Sequence, residues 1–157
     1  MSSNFPIADL RGQGRLFPEP GTNWHLIEAG AGTGKTWTMA VLVLQALLRD
    51  HPRDERRDGP LDPEQVAVLT FTRKAAGELR ERVYRFLDQA ERWVDAAANG
   101  KTYETEIDEP LQMIWRDSGA DAAALQQRLR RARQRLDLMQ ISTIHSFVQR
   151  VLREHAA

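Results

Sequence analysis

Short apolar runs alternate along this chain with longer stretches in which apolar residues recur every three or four positions. Three of the runs have a length typical of buried strands. They are Trp24–Ala29, Gln65–Phe71 and Leu138–Thr143. Glycines stop the first run, and β-branched residues are frequent in the second, which favours strands over helices.

The longer stretches predict helices. Lys35–Leu48 is apolar nearly all round and too long for a typical strand, so it predicts a buried helix. After the second run, an amphipathic helix of about six turns is indicated by Ala76, Leu79, Val83, Phe86, Ala90 and Val94. Shorter helical patterns cover Leu111–Trp115, the positions Leu125, Leu129, Ala132 and Leu136, and finally Phe147, Val148, Val151 and Leu152.

This order of elements predicts an α/β fold in which a parallel sheet is flanked by helices. Residues 1–22 hold several Pro and Gly with scattered apolar residues, and we interpret them as an extended lead-in. The domain itself is expected to cover residues 23–157. Within it, the charged, proline-containing segment Arg49–Pro63 predicts an exposed connector, and Asn99–Pro110, which opens with an Asn-Gly turn signal, predicts a loop.

Composition narrows the classes of protein that this chain can represent. Its 157 residues are 41% hydrophobic and 28% charged with zero formal net charge, so contact with a polyanion would depend on local cations. Because cysteine is absent, disulfides and thiolate zinc sites are excluded. The chain start lacks the pattern of a secretion signal, and the apolar run Met39–Leu48 is too short to cross a bilayer. We expect a cytoplasmic protein without a membrane partner.

A glycine-rich turn between the first strand and the first helix predicts a nucleotide site. It fits the phosphate-loop pattern G-x-x-x-x-G-K-[ST], with alanine at the first position, over Ala29, Gly30, Ala31, Gly32, Thr33, Gly34, Lys35 and Thr36. The glycines let backbone N–H groups point at phosphate oxygens, Lys35 can reach the β- and γ-phosphates, and the Thr36 hydroxyl can bind Mg²⁺. A chance glycine-rich turn is disfavoured because strand, loop and helix occur in the required order. Kinases, GTPases and motors all share this loop, so it does not identify the reaction.

Two further segments follow predicted strands. In "TFTRKAAGELRER" (Thr70–Arg82), Phe71 stands beside the hydroxyl of Thr72 and the cations Arg73 and Lys74, a combination that suits single-stranded nucleic acid. An equally good interpretation places Phe71 in the core and makes Thr72 a helix N-cap.

The second segment is "STIHSF" (Ser142–Phe147). Ser142, Thr143, His145 and Ser146 could donate hydrogen bonds to a phosphate at a helix start. Alternatively, His145 is a structural hydrogen bonder, and we expect no acid–base chemistry from it.

Together the three segments resemble superfamily 1 DNA helicases of the UvrD/RecB type. "LIEAGAGTGKTWT" and "ISTIHSFVQRVL" look most like the RecB branch, the β subunits of exonuclease V. The resemblance implies part of a RecA-like motor domain that binds ATP and Mg²⁺ through Ala29–Thr36, with Lys35 and Thr36 catalytic, Thr36 on the metal, and Trp37 near the nucleotide. It also implies contacts to single-stranded DNA from Phe71, Thr72, Arg73, Thr143, His145 and Ser146. Family members translocate 3′ to 5′, and the partner subunits would be RecC and RecD, acting on duplex ends in repair and recombination.

ATP hydrolysis in such motors needs an Asp-Glu pair at the end of an apolar strand. The segment "IDEPLQ" (Ile107–Gln112) contains Asp-Glu, but polar residues precede it and Pro110 follows, so we reject it as that motif. We therefore expect the N-terminal part of a first motor domain, truncated before the Asp-Glu motif and not competent to hydrolyse ATP alone.

Other interpretations remain open. The main alternative is a module or remnant that binds nucleotide and DNA without turnover. A small-molecule kinase is disfavoured because it leaves the two later segments unexplained. The arginines on the helix around Leu129 are expected to form a solvated surface rather than a DNA track; they are Arg128, Arg130, Arg131, Arg133 and Arg135.

Overall fold

The computed structural model describes residues 34–50 and 59–156. Five α-helices occur in these ranges: α1 (Lys35–Leu48), α2 (Arg73–Ala98), α3 (Asp108–Ser118), α4 (Ala122–Gln134) and α5 (Ile144–His155). Two strands, β1 (Ala67–Thr70) and β2 (Gln140–Thr143), are each preceded by a short 3₁₀ turn. The predicted lead-in, the strand Trp24–Ala29 and the loop positions up to Thr33 lie outside the described residues.

The two strands form a parallel pair, as the order of elements predicted. Ala67 pairs with Gln140 and Thr70 pairs with Thr143, so the strands begin and end together. Both strands are shorter than predicted because Pro63–Gln65 and Leu136–Leu138 adopt 3₁₀ turns. Helices flank this pair, which confirms the predicted α/β class.

Helix α2 is the centre of the core. Its predicted apolar positions from Ala76 to Val94 are all buried. Helices α1 and α4 pack against it through Leu44, Leu48, Leu125 and Leu129, all of them buried. The periodicity of α2 therefore identified the side of the helix on which the domain is assembled.

The segment after α2 differs from the predicted loop, since helix α3 begins at Asp108 rather than after Pro110. Asp108 and Glu109 lie in its first turn, where carboxylates interact favourably with the helix dipole. Pro110 is tolerated there because the first-turn N–H groups have no partner within the helix. The Asp-Glu pair thus begins a helix and does not end a strand, in agreement with its rejection as a metal-binding motif.

Most of the α4 arginines pair with carboxylates of other elements. Arg128 pairs with Asp50 at 2.9 Å and also donates to the carbonyl of Leu48 at 2.7 Å. Further pairs join Arg131 to Asp62, Arg133 to Glu91, and Arg135 to Glu64. Arg130 is exposed. This surface is therefore largely occupied by ion pairs within the chain, each of which contributes little stability where it is solvated.

The final helix α5 has the predicted apolar side, but no residue on it is buried. Val148 is 47% exposed and Leu152 is 63% exposed. Across the parts of the chain that the structure covers, no helix is both long and apolar enough to cross a bilayer.

Candidate nucleic-acid and nucleotide interface

The start of helix α1 carries the described part of the phosphate loop. Gly34 is the N-cap residue and has a left-handed backbone, with φ at 86°, which side chains other than glycine rarely adopt. Among the residues that the structure describes, no side chain caps this end, and the first turn contains no acidic residue. Its N–H groups and the exposed Lys35 therefore form a donor set that suits an anionic phosphate, with Thr36 in the same turn.

Trp37 lies next to this donor set and packs into the core. Its ring meets that of Phe86 edge-on, with centroids 6.3 Å apart and an interplanar angle of 75°. Phe86 is completely buried. The contact fixes the first turn of α1 against α2, and a contact between Trp37 and a nucleotide stays a prediction.

The two predicted DNA-contacting segments start side by side. Thr70 ends β1, Thr143 ends β2, and these two residues are partners in the parallel register. Phe71 and Ile144, the next residues, therefore leave the sheet at the same edge. Ligands of open parallel sheets bind at this carboxyl edge.

In the first segment, each of the two sequence interpretations holds for one residue. Phe71 is 91% exposed and so does not belong to the core. Thr72 is the N-cap of α2, because its hydroxyl accepts a hydrogen bond from the Ala75 N–H at 3.1 Å. Arg73 and Lys74 are exposed beside them. An aromatic ring and two cations are thus available to a ligand.

In the second segment, the hydroxyls are engaged with one another at the start of α5. Thr143 caps the helix by accepting from the Ser146 N–H at 3.2 Å, and its hydroxyl donates to Ser146 Oγ at 2.9 Å. His145 is exposed and lies 2.9 Å from Gln149 through its Nε2. His145 therefore has the surroundings of a polar surface contact, which is compatible with binding a phosphate.

Sequence reasoning missed the residues that hold these strand ends in place. The Arg80 guanidinium donates to the Ile141 carbonyl at 2.9 Å, and the Thr70 hydroxyl donates to the Thr72 carbonyl at 3.0 Å. The Tyr84 hydroxyl donates to Asp137 at 2.6 Å, and this bond, together with burial and the charge of Asp137, raises the pKa of Tyr84. Arg80 and Tyr84 are exposed positions of a long helix, so the pattern alone gave no signal that they bind β2 and its preceding turn.

The sequence model of the UvrD/REP helicase N-terminal domain matches residues 13–157. The RecBCD enzyme subunit RecB of Haemophilus influenzae is 37% identical over 134 residues, which are 83% of this chain and 11% of that protein. RecB of Escherichia coli is 36% identical over 137 residues, covering 84% of this chain and 10% of the relative. An ATP-dependent helicase/nuclease polypeptide of Carboxydothermus hydrogenoformans is 30% identical over 133 residues, with coverages of 85% and 8%.

The chain therefore spans about a tenth of the length of the curated relatives that it matches. The matched residues include the described start of α1 and both strand ends, and the two-stranded parallel sheet with its flanking helices is consistent with that domain. By the extent of the match and by its RecB relatives, the chain belongs to the UvrD/REP helicase family, in which it represents the N-terminal domain of a RecB-like protein.

Proposed function

We propose that this chain is the ATP-binding and single-stranded-DNA-contacting part of an ATP-dependent 3′–5′ DNA helicase/exonuclease β subunit. In this proposal it acts in the cytoplasm on strands entering from a duplex end, during double-strand break repair and recombination. Its partners are RecC and RecD, as the name of the RecBCD enzyme indicates for the relatives.

One observation carries the DNA part of the proposal, namely the paired strand ends Thr70 and Thr143 with the exposed Phe71 beside them. An exposed aromatic ring offers a base a stacking surface, and Arg73 can neutralise the adjacent phosphate. Thr143, His145 and Ser146 stand on the neighbouring strand end, where their polar groups can hydrogen-bond the sugar–phosphate backbone. The Thr72 hydroxyl, although it caps α2, still has a hydrogen to donate.

The nucleotide part rests on the N-terminus of α1. We assign ATP to Ala29–Trp37, with Lys35 on the β- and γ-phosphates and Thr36 holding Mg²⁺ through its hydroxyl. The left-handed backbone of Gly34 and the absence of acidic side chains from the first turn of this helix fit a triphosphate at this end. Bound Mg²⁺ would neutralise charge on the phosphates.

Single-stranded DNA binding is expected to depend on Phe71. In a fluorescence-anisotropy titration with a labelled oligo-dT at low salt, Phe71→Ala should weaken binding by roughly 1–3 kcal/mol per stacked base. Affinity should also fall steeply as salt is added, because Arg73 and its neighbours release counterions from the phosphates.

Leu138→Ala is the matched control for this titration. Leu138 is another exposed apolar side chain, at 53%, but it precedes β2 and so belongs to the opposite end of the strand. Its replacement should leave the affinity unchanged. Equal affinities of the wild-type chain and Phe71→Ala would remove the DNA assignment of Phe71.

ATP binding without sustained hydrolysis is expected for a polypeptide of these 157 residues. Within the ranges 34–50 and 59–156, no group of three or more carboxylate or histidine side chains is placed to hold a metal ion, and Asp108 and Glu109 begin a helix. Lys35→Ala should abolish binding of a fluorescent ATP analogue, while phosphate release stays at background for both proteins.

The exposed Lys101, in the loop before α3, provides the control Lys101→Ala, which should bind the analogue like wild type. Steady ATP turnover that disappears in Lys35→Ala would contradict the expectation and would show that this polypeptide contains a complete hydrolytic site.

A further inference from the structure

An apolar side chain lies beside Phe71 at the strand ends and has no role in the site described so far. Ile144 follows Thr143 as Phe71 follows Thr70, and neighbouring strands are about 4.8 Å apart. Ile144 is 41% exposed, although it stands at the first position of α5 between the polar residues Thr143 and His145. Two exposed apolar side chains therefore flank one another at the carboxyl edge of the sheet.

We propose that Ile144 is a second apolar contact for the DNA base that stacks on Phe71. This inference rests on the proposed DNA-binding function and adds to it a residue that positions the base. A nucleobase is flat and apolar on its faces and polar at its edges, so it fits a site with an aromatic and an aliphatic side chain surrounded by donors. Those donors are Arg73, Thr143 and His145.

The charge around Ile144 favours a nucleic acid as the occupant. Arg73 and Lys74 are exposed on the α2 side, and the nearest described ion pair, Lys74 with Glu78, is long at 3.9 Å with both side chains largely exposed. Such a pair is weak, which leaves the cations available to phosphates. A single strand would thus meet positive charge beside the Phe71–Ile144 pair.

The rest of the apolar side of α5 serves as an internal comparison. Val148 and Leu152 continue the same side of the helix, about 6 Å and 12 Å along its axis from Ile144. They are exposed to a similar or greater degree, at 47% and 63%. Their distance from the strand ends increases with each turn, so the base contact is assigned to Ile144 alone.

The test compares Ile144→Ala with Val148→Ala in the oligo-dT titration. Ile144→Ala should weaken binding by about three- to fivefold, the effect of losing part of an aliphatic contact. Val148→Ala should bind like wild type. With an oligonucleotide whose sugars lack bases, Ile144→Ala and the wild-type chain should bind equally, because no base remains to be contacted.

Three outcomes decide the proposal. If Phe71→Ala weakens binding while Ile144→Ala does not differ from Val148→Ala, the role of Ile144 is overturned and the DNA-binding function stands. If neither Phe71→Ala nor Ile144→Ala changes binding, the proposed function itself falls. The conservative Ile144→Leu should retain wild-type affinity, and a loss there equal to that of Ile144→Ala would also overturn the apolar contact, whatever the thermal stability of the variants.

Discussion

Replacing Phe86 with alanine is expected to lower the free energy of unfolding by about 3–5 kcal/mol. Phe86 is completely buried on α2 and meets the ring of Trp37 edge-on, so its loss leaves a cavity between α2 and α1. A domain of this size typically has a net stability of about 5–15 kcal/mol, so the loss is a large share of the total. Urea denaturation followed by circular dichroism measures it.

The same substitution at Phe71 is the matched control. Phe71 is 91% exposed, and an exposed side chain without packing contacts usually contributes within about 0.5 kcal/mol of stability. Phe71→Ala should therefore unfold at the wild-type urea concentration. Equal destabilisation by the two variants would contradict the packing of the core around Phe86, because it would mean that exposure does not distinguish the two rings.

The sequence identified those elements whose own periodicity is strong. Helices α1 and α2 were predicted because burial along a helix repeats about every 3.6 residues, and α2 keeps that repeat from Ala76 to Val94. The parallel pairing of β1 and β2 followed from the order of elements. Strand bounds were less accurate, because Leu136–Leu138 continues the apolar pattern of α4 in a 3₁₀ turn.

The candidate site was predictable as a set of residues and less so as a geometry. Sequence could not decide between an exposed and a buried Phe71, since an aromatic residue at the end of an apolar run suits either environment. Only the register, in which Thr70 pairs with Thr143, shows that the two segments leave the sheet together. That register is a non-local contact, and local periodicity carries no information about it.

The arginines of α4 illustrate a second limit. Their spacing indicated a charged helix surface, but their partners, among them Asp50, Asp62 and Glu91, are far away in the sequence. Which carboxylate reaches which guanidinium depends on how α4 packs on α2. The sequence therefore predicted the charge and not its neutralisation.

Residues 99–120, where the sequence pattern was weakest, are anchored by tryptophan. Trp93 of α2 meets Trp115 of α3 edge-on, with ring centroids 5.4 Å apart, and its Nε1 donates to Asp108 Oδ1 at 2.5 Å. Trp115 in turn donates to the Ala120 carbonyl at 3.0 Å. Two aromatic rings and two hydrogen bonds thus substitute for a long apolar helix face.

Trp93→Ala is accordingly expected to lower the free energy of unfolding by about 3 kcal/mol, near the lower end for tryptophan because this ring is only partly buried. Native-state hydrogen exchange should show the loss first in the amides of α3, because its stacking partner and the acceptor at Asp108 both lose their contact. Urea denaturation gives the global value.

Trp93→Phe separates the two contributions. It retains a ring against Trp115 but cannot donate to Asp108, so it should cost about 1 kcal/mol, the usual value of one hydrogen bond. Oligo-dT affinity should be unchanged in both variants under conditions where they remain folded, because none of the proposed DNA-contacting residues lies in residues 99–120. If Trp93→Ala left α3 as protected as in the wild-type chain, the anchoring of this segment by Trp93 would be wrong, and the buried Ile107, Leu111 and Ile114 alone would hold it.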